Sequence, residues 1–140
     1  MEDIDRRVAL ALGLTVTAMP VLAWPTPAAA ATTYGPNEGK ELHPGIRLIE
    51  LGTRESTISA YKKISMVDVV FQPKAVYPEE AMPNDIVCHV TEGELQITQG
   101  TTKFNVKNGD VYSCGKGTKE QATNAGSAVA VMRVINLLPA

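Results

Sequence analysis

The side chains able to do chemistry are few, and most lie between residues 78 and 124. A carboxylate pair, Glu79-Glu80, sits in the proline-punctuated stretch from Pro73 to Asp85, which also holds Pro78 and Pro83. Glu120 follows the glycine-rich run Cys114-Gly115-Lys116-Gly117. Cys88 and Cys114 are the two cysteines of the chain, and His43 and His89 the two histidines. Carboxylates brought together in a cavity offer general acid–base chemistry or hydrogen bonds to a polar ligand. A thiolate beside carboxylates would tolerate zinc. A cysteine–histidine nucleophile pair is disfavoured, because Cys88 and His89 are neighbours and point to opposite faces of a strand. Gly115-Lys116-Gly117-Thr118 lacks the following helix that a phosphate-binding loop requires.

The elements that must position these groups read as short strands. Ile46–Leu51 alternates apolar and polar residues, and Gly52–Thr57 reads as a turn. The β-branched content of residues 58–72 favours strand, and Pro73 stops it. Pro73–Asp85 reads as a loop. Ile86–Thr91 is a strand with Glu94–Thr98 as its hairpin partner across Glu92-Gly93. Lys103–Val106, Val111–Ser113 after the Asn108-Gly109-Asp110 turn, Lys119–Thr123 and the long apolar run Ala128–Leu137 complete the set. Close-spaced strands split by Gly, Asn and Asp turns describe an all-β sandwich or barrel.

The chain has 140 residues and a formal net charge of −2, so it carries no basic field that would draw nucleic acid. Aromatic residues make up only 5%, which leaves a core of Val, Ile, Leu and Ala. Residues 1–31 differ in kind. Arg6-Arg7 precedes an uncharged apolar run from Val8 to Trp24 and then small residues ending at Ala31, the layout of a cleaved secretory signal peptide. The paired arginines hint at the twin-arginine route, although Glu2, Asp3 and Asp5 speak against it. An uncleaved anchor is the alternative. The expected product is a periplasmic or secreted domain with no stable membrane anchoring after cleavage. Export would permit a bridge between Cys88 and Cys114 without requiring one. The domains expected are therefore 1–31 signal peptide, 32–45 extended lead-in and 46–140 β-barrel.

The order of these pieces resembles the cupin superfamily, small single-domain RmlC-like jelly-roll barrels, also described as double-stranded β-helices. The family's second motif is a glycine, a proline, a glycine, a histidine and an asparagine at the spacings of Gly109, Gly115, Gly117, Glu120 and Asn124. Proline is here replaced by Gly115 and histidine by Glu120. The first motif ends on an apolar strand and an E-G-E-like turn, matched by Ile86 to Glu92-Gly93-Glu94. Counting back from Gly93 implies that Ile86 stands at the family's metal-binding glutamate. With Pro83 as a further marker, Glu80 and Met82 stand at two histidines. A loop one residue longer would select Glu79 and Ala81. The family's usual site is a set of histidines with one glutamate, suited to divalent transition metals. Such a site cannot be assembled from the two histidines of this chain, so the resemblance implies a degenerate metal motif.

The ligand-binding set implied is Glu80, Met82, Ile86, Cys88 and Glu120, with Cys88 facing the same way as Ile86 and His89 facing out. The plain alternatives are that Cys88 and Met82 are packing residues and that Glu120 is solvated at the barrel mouth. Three functions follow from the set. In the first, a metal-free pocket binds a small molecule, with Glu80 and Glu120 as its polar groups. In the second, Glu80 and Glu120 are catalytic, as acid and base in an isomerase or lyase step beside an apolar wall. In the third, Glu80, Glu120 and Cys88 or Met82 hold an unidentified divalent metal. The cofactor expectation is thus none or an unknown divalent metal. The resemblance also implies a homodimer. The apolar closing strand supports it, since one of its faces needs a cover that the lead-in, residues 32–45, would supply between subunits.

Overall fold

The computed structural model describes residues 33–139, so the signal-peptide reading of residues 1–31 lies outside the described residues. The elements within them are strands: β1 (Lys40–His43), β2 (Ile46–Glu55), β3 (Tyr61–Phe71), β4 (Val76–Ala81), β5 (Asp85–Glu92), β6 (Glu94–Gln99), β7 (Thr102–Lys107), β8 (Val111–Cys114), β9 (Lys119–Thr123) and β10 (Ala130–Pro139). They form two sheets, a six-stranded one in the order β1-β2-β3-β10-β5-β8 and a four-stranded one in the order β4-β9-β6-β7. Neighbours in both sheets are antiparallel. Among the described residues no helix is long and apolar enough to cross a membrane.

Alternation builds the core between the sheets. Ile86, Cys88 and Val90 of β5 are buried inward, while Val87, His89 and Thr91 turn outward and are half-buried. Leu95 and Ile97 of β6 and Ala122 of β9 meet them from the other sheet, with Ile46 and Phe71 filling the centre. Each side chain of the larger aliphatic or aromatic kind stabilises by about 1.5–3 kcal/mol when fully buried.

Four stretches differ from the sequence reading. Residues 52–57 are not a turn: β2 runs on through a bulge at Glu50/Gly52, and the reversal comes after Glu55. The loop read over Pro73–Asp85 contains β4, whose one proline, Pro78, is tolerated because β4 is an edge strand. The hairpin expected across Glu92-Gly93 is absent. β5 pairs with β10 and β8, while β6 pairs with β7 and β9, so Gly93 carries the chain from one sheet to the other. Gly93 has φ 71°, and a Cβ there would lie 2.6 Å from the Val129 carbonyl oxygen. A glycine that allows such a crossing has the same sequence signature as a hairpin turn.

The fourth difference concerns the lead-in. Lys40–His43 joins the large sheet as β1, and the residues before it pack on the outer face of the same chain. Asp68 is 1% exposed there and receives both Nε (2.9 Å) and Nη2 (3.0 Å) of Arg133. The Tyr34 hydroxyl donates to the second oxygen of Asp68 at 2.5 Å. Thr33 donates to the Glu92 carboxylate through its backbone N–H (2.8 Å) and through its hydroxyl. Val70 and Val131 lie on this face and are buried. The outer face of β10 is therefore covered at least in part by its own chain.

Candidate functional site

A cavity of about 170 Å³ lies between the sheets. Its wall is apolar: Val67, Val69 and Phe71 come from β3, Ile86 from β5, and Met132 and Val134 from β10. Leu42 and Leu48 close one side from β1 and β2. Polar groups enter from Tyr77 and Glu80 on β4, Glu120 on β9 and Asn136 on β10. Four of the five residues expected to bind a ligand thus line one cavity: Glu80, Met82, Ile86 and Glu120. Glu79 and Ala81, the other frame of the β4 loop, are exposed and do not line it. A register shift between Tyr77 and Glu80 sets that frame, since it turns both side chains to the same side of β4.

Glu80 and Glu120 are directly paired positions of β4 and β9. Their environments differ. Glu120 is 5% exposed, so it is not the solvated mouth residue of the plain alternative. Its Oε2 accepts from Gln99 Nε2 at 2.8 Å, and its Oε1 accepts from the Tyr112 hydroxyl at 3.2 Å. Gln99 stands opposite Glu120 across β6–β9 and also donates to the Ser113 carbonyl at 3.0 Å, which fixes its amide. Glu80 is exposed at the mouth, where its Oε1 accepts from the Tyr77 hydroxyl at 2.9 Å. Burial and this carboxylate push the Tyr77 phenol up to about 12.

Cys88 does not line the cavity. It lies in the core beside Tyr112, at the paired position on β8. Burial, opposed by the hydrogen bond to Tyr112, pushes the Cys88 thiol up to about 12. Burial and the Glu120 charge push Cys114 up to about 12 as well. Tyr112 is raised further, by burial first and then by the charges of Cys88 and Glu120. Both cysteines are free and buried. Cys114 pairs with Ile86 and Cys88 with Tyr112, so the two thiols are offset by one pleat on adjacent strands. His43 packs edge-on against Tyr77 with centroids 4.6 Å apart, outside the cavity lining. His89 faces outward, its Nδ1 3.2 Å from the Asp110 carbonyl oxygen.

Sequence reasoning missed Gln99, Tyr112, Tyr77, Leu42 and Asn136. Gln99 and Tyr112 reach Glu120 only through non-local pairing, which local patterning does not reveal. Tyr77 had a usable signal: it is an aromatic residue three positions before Glu80 in a stretch otherwise read as loop.

No family model matches the chain, and no curated protein matches it. Solved structures do. The chain is similar to an RmlC-like cupin from Shewanella frigidimarina, with 15% identity over 80% of this chain and 94% of that one and a TM-score of 0.60. It is similar to KdgF from Halomonas sp., with 17% identity over 70% of this chain and 84% of that one and a TM-score of 0.59. A cupin superfamily protein from Desulfitobacterium hafniense matches at 18% identity over 72% and 83% of the two chains, with a TM-score of 0.54. The chain therefore has the cupin jelly-roll fold.

The residues that the resemblance sets at the family's ligand positions do not fit that family's metal. Ile86 has no donor atom and Met82 offers only a thioether. Cys88 stands behind the cavity wall as a buried thiol, whereas a metal ligand would have to be a thiolate.

Proposed function

We propose that this cupin-fold domain binds a small molecule in its barrel without a metal, using Glu80 and Glu120 as the polar groups of an otherwise apolar pocket. The observation that carries the reading is the cavity of about 170 Å³ whose apolar wall meets both carboxylates at one end. A cavity of about 150 Å³ with aliphatic walls accommodates one aromatic ring, which sets the size class of the ligand. Met82 and Ile86 contribute wall, and Cys88 supports it from behind. Ligand-observed NMR with a library of ring-sized compounds tests the reading. Binders should be lost in Ala122→Leu, which fills the cavity from β9. Equal binding by that variant refutes the pocket.

A second reading, acid–base catalysis of an isomerase or lyase step, is favoured by the direct pairing of Glu80 with Glu120. A pH–rate profile that keeps both limbs in Glu80→Gln and in Glu120→Gln would sink it. Export of the mature domain and a homodimer belong to the same proposal. The first is supported by the layout of residues 1–31 and the second by exposed Val111 on edge strand β8. Intact mass of protein recovered from the periplasm tests cleavage. Light scattering behind size-exclusion chromatography tests the dimer, and a strict monomer at micromolar concentration refutes it.

A further inference from the structure

The cavity has a definite charge character. Among the described residues, Glu80 and Glu120 are its ionisable carboxylates, Tyr77 and Asn136 its neutral polar side chains, and no Lys, Arg or His lines it. The two carboxylates are paired across β4 and β9. Like charges directly opposite each other in a sheet are destabilising, and a buried carboxylate is costly without compensation. Among the described residues the one ion pair is Arg133–Asp68, on the outer face of the large sheet. The donors that reach the cavity carboxylates, Gln99, Tyr112 and Tyr77, are all neutral. Each carboxylate oxygen can accept a second hydrogen bond.

We infer that the pocket takes a small organic ammonium: a compact carbon body against the apolar wall, with its N–H donors on Glu80 and Glu120. An ammonium has donors and no acceptors, which is the complement of two acceptor-only carboxylates. The charge would offset the repulsion between them. A carboxylate or phosphate ligand would add a third negative charge. A polyhydroxylated ligand would press hydroxyls against Val67, Val69, Phe71 and Val134, where nothing receives them.

The inference rests on the pocket reading, and one titration separates the two. Cyclohexylamine, cyclohexanol and cyclohexanecarboxylate share a ring and differ in charge; each is titrated into the full chain by calorimetry at neutral pH and low salt. The amine should bind about ten- to a hundred-fold more tightly than the alcohol, with the carboxylate weakest. Glu120→Gln should remove that preference, bringing the amine's affinity down to that of the alcohol. Glu80→Gln, at an exposed position that leaves the fold intact, should weaken it. If the alcohol or the carboxylate binds as well as the amine, the ammonium inference falls and the pocket stands. If the preference survives in both variants, the inference also falls. If none of the three binds at millimolar concentration, both fall.

Discussion

Asn124 offers the most direct test of how the barrel is tied together. It is 1% exposed, and its amide does four things at once. Nδ2 lies 3.1 Å from the Phe71 carbonyl oxygen, 3.2 Å from that of Gln72 and 2.8 Å from that of Ala128. Oδ1 accepts from the Gly126 N–H at 3.1 Å. One side chain thus joins the ends of β3 and β9 to the loop that enters β10. Replacing it by alanine leaves buried carbonyls and an N–H without their partner, at roughly 0.5–1.5 kcal/mol for each net hydrogen bond. The expected loss for Asn124→Ala is about 2–4 kcal/mol, which for a domain of this size lowers Tm by roughly 10–25 °C. Asn124→Asp separates the donor from the packing. It keeps the shape and the acceptor but aims a carboxylate at three carbonyl oxygens, so its folded-state pKa lies above its unfolded value. Stability contributed by a raised group is present below the unfolded pKa, about 3.9, and is lost as pH rises through the folded one. Relative to the parent at each pH, the aspartate variant should approach it near pH 4 and fall well below it at pH 7. The assay is urea unfolding followed by far-UV circular dichroism. A loss under about 1 kcal/mol for Asn124→Ala, or no pH trend in the aspartate variant, refutes the tie.

Arg133→Met should strand Asp68 on the outer face; the loss should be about 2 kcal/mol, below the figure for a fully buried pair, because the Arg133 side chain is 38% exposed. Adding Tyr34→Phe should cost less than its effect alone in the parent, since both act on one carboxylate, and strict additivity in a double-mutant cycle refutes the shared site. The thiols of Cys88 and Cys114 stay protonated in the folded chain up to about 12, above the unfolded value of about 8.5. Their contribution is present below that unfolded value and lost as pH climbs toward the folded one, so the urea midpoint should fall above about pH 9, less so in Cys88→Ala, and both thiols should resist alkylation until the protein is unfolded. Gly93→Ala should cost about 3 kcal/mol or more, because its Cβ would meet Val129 and Ala130 at 2.6–2.9 Å. Gly109→Ala, at φ 95° but in open space, should cost only about 1 kcal/mol; equal losses by urea titration refute the steric argument.

The β-class and most strand positions were legible because alternation is local. Ile86, Cys88 and Val90 announce their face by spacing alone, and the outward position of His89 follows from the same count. What was not legible is pairing between distant strands. The Glu92-Gly93-Glu94 turn looks like a hairpin because a glycine at positive φ serves a hairpin and a sheet-to-sheet crossing equally well. The Pro73–Asp85 stretch looks like a loop because its prolines mark edge strands as well as turns. The candidate site splits along the same line. Glu80 and Glu120 could be placed by counting, whereas Gln99 and Tyr112 reach Glu120 only because β6 and β8 flank it from opposite sheets.

That division bears on which groups hold the cavity's frame and which give it its chemistry. The frame of β4 against β9 is fixed by backbone pairing and by the register shift before Glu80. The end of β9 is held by Asn124, through main-chain atoms of β3 and the loop before β10. None of these ties involves the side chains of Glu80, Met82, Ile86 or Glu120. The backbone frame at these positions is thus held by ties that do not use their side chains. The arrangement has one requirement, that the carboxylate buried at position 120 find donors. Gln99 and Tyr112 meet it from strands flanking the site. Gln99→Ala should therefore impair any ligand preference that depends on Glu120 while leaving the apolar wall untouched, because it removes the donor that aims the carboxylate and no residue that lines the pocket.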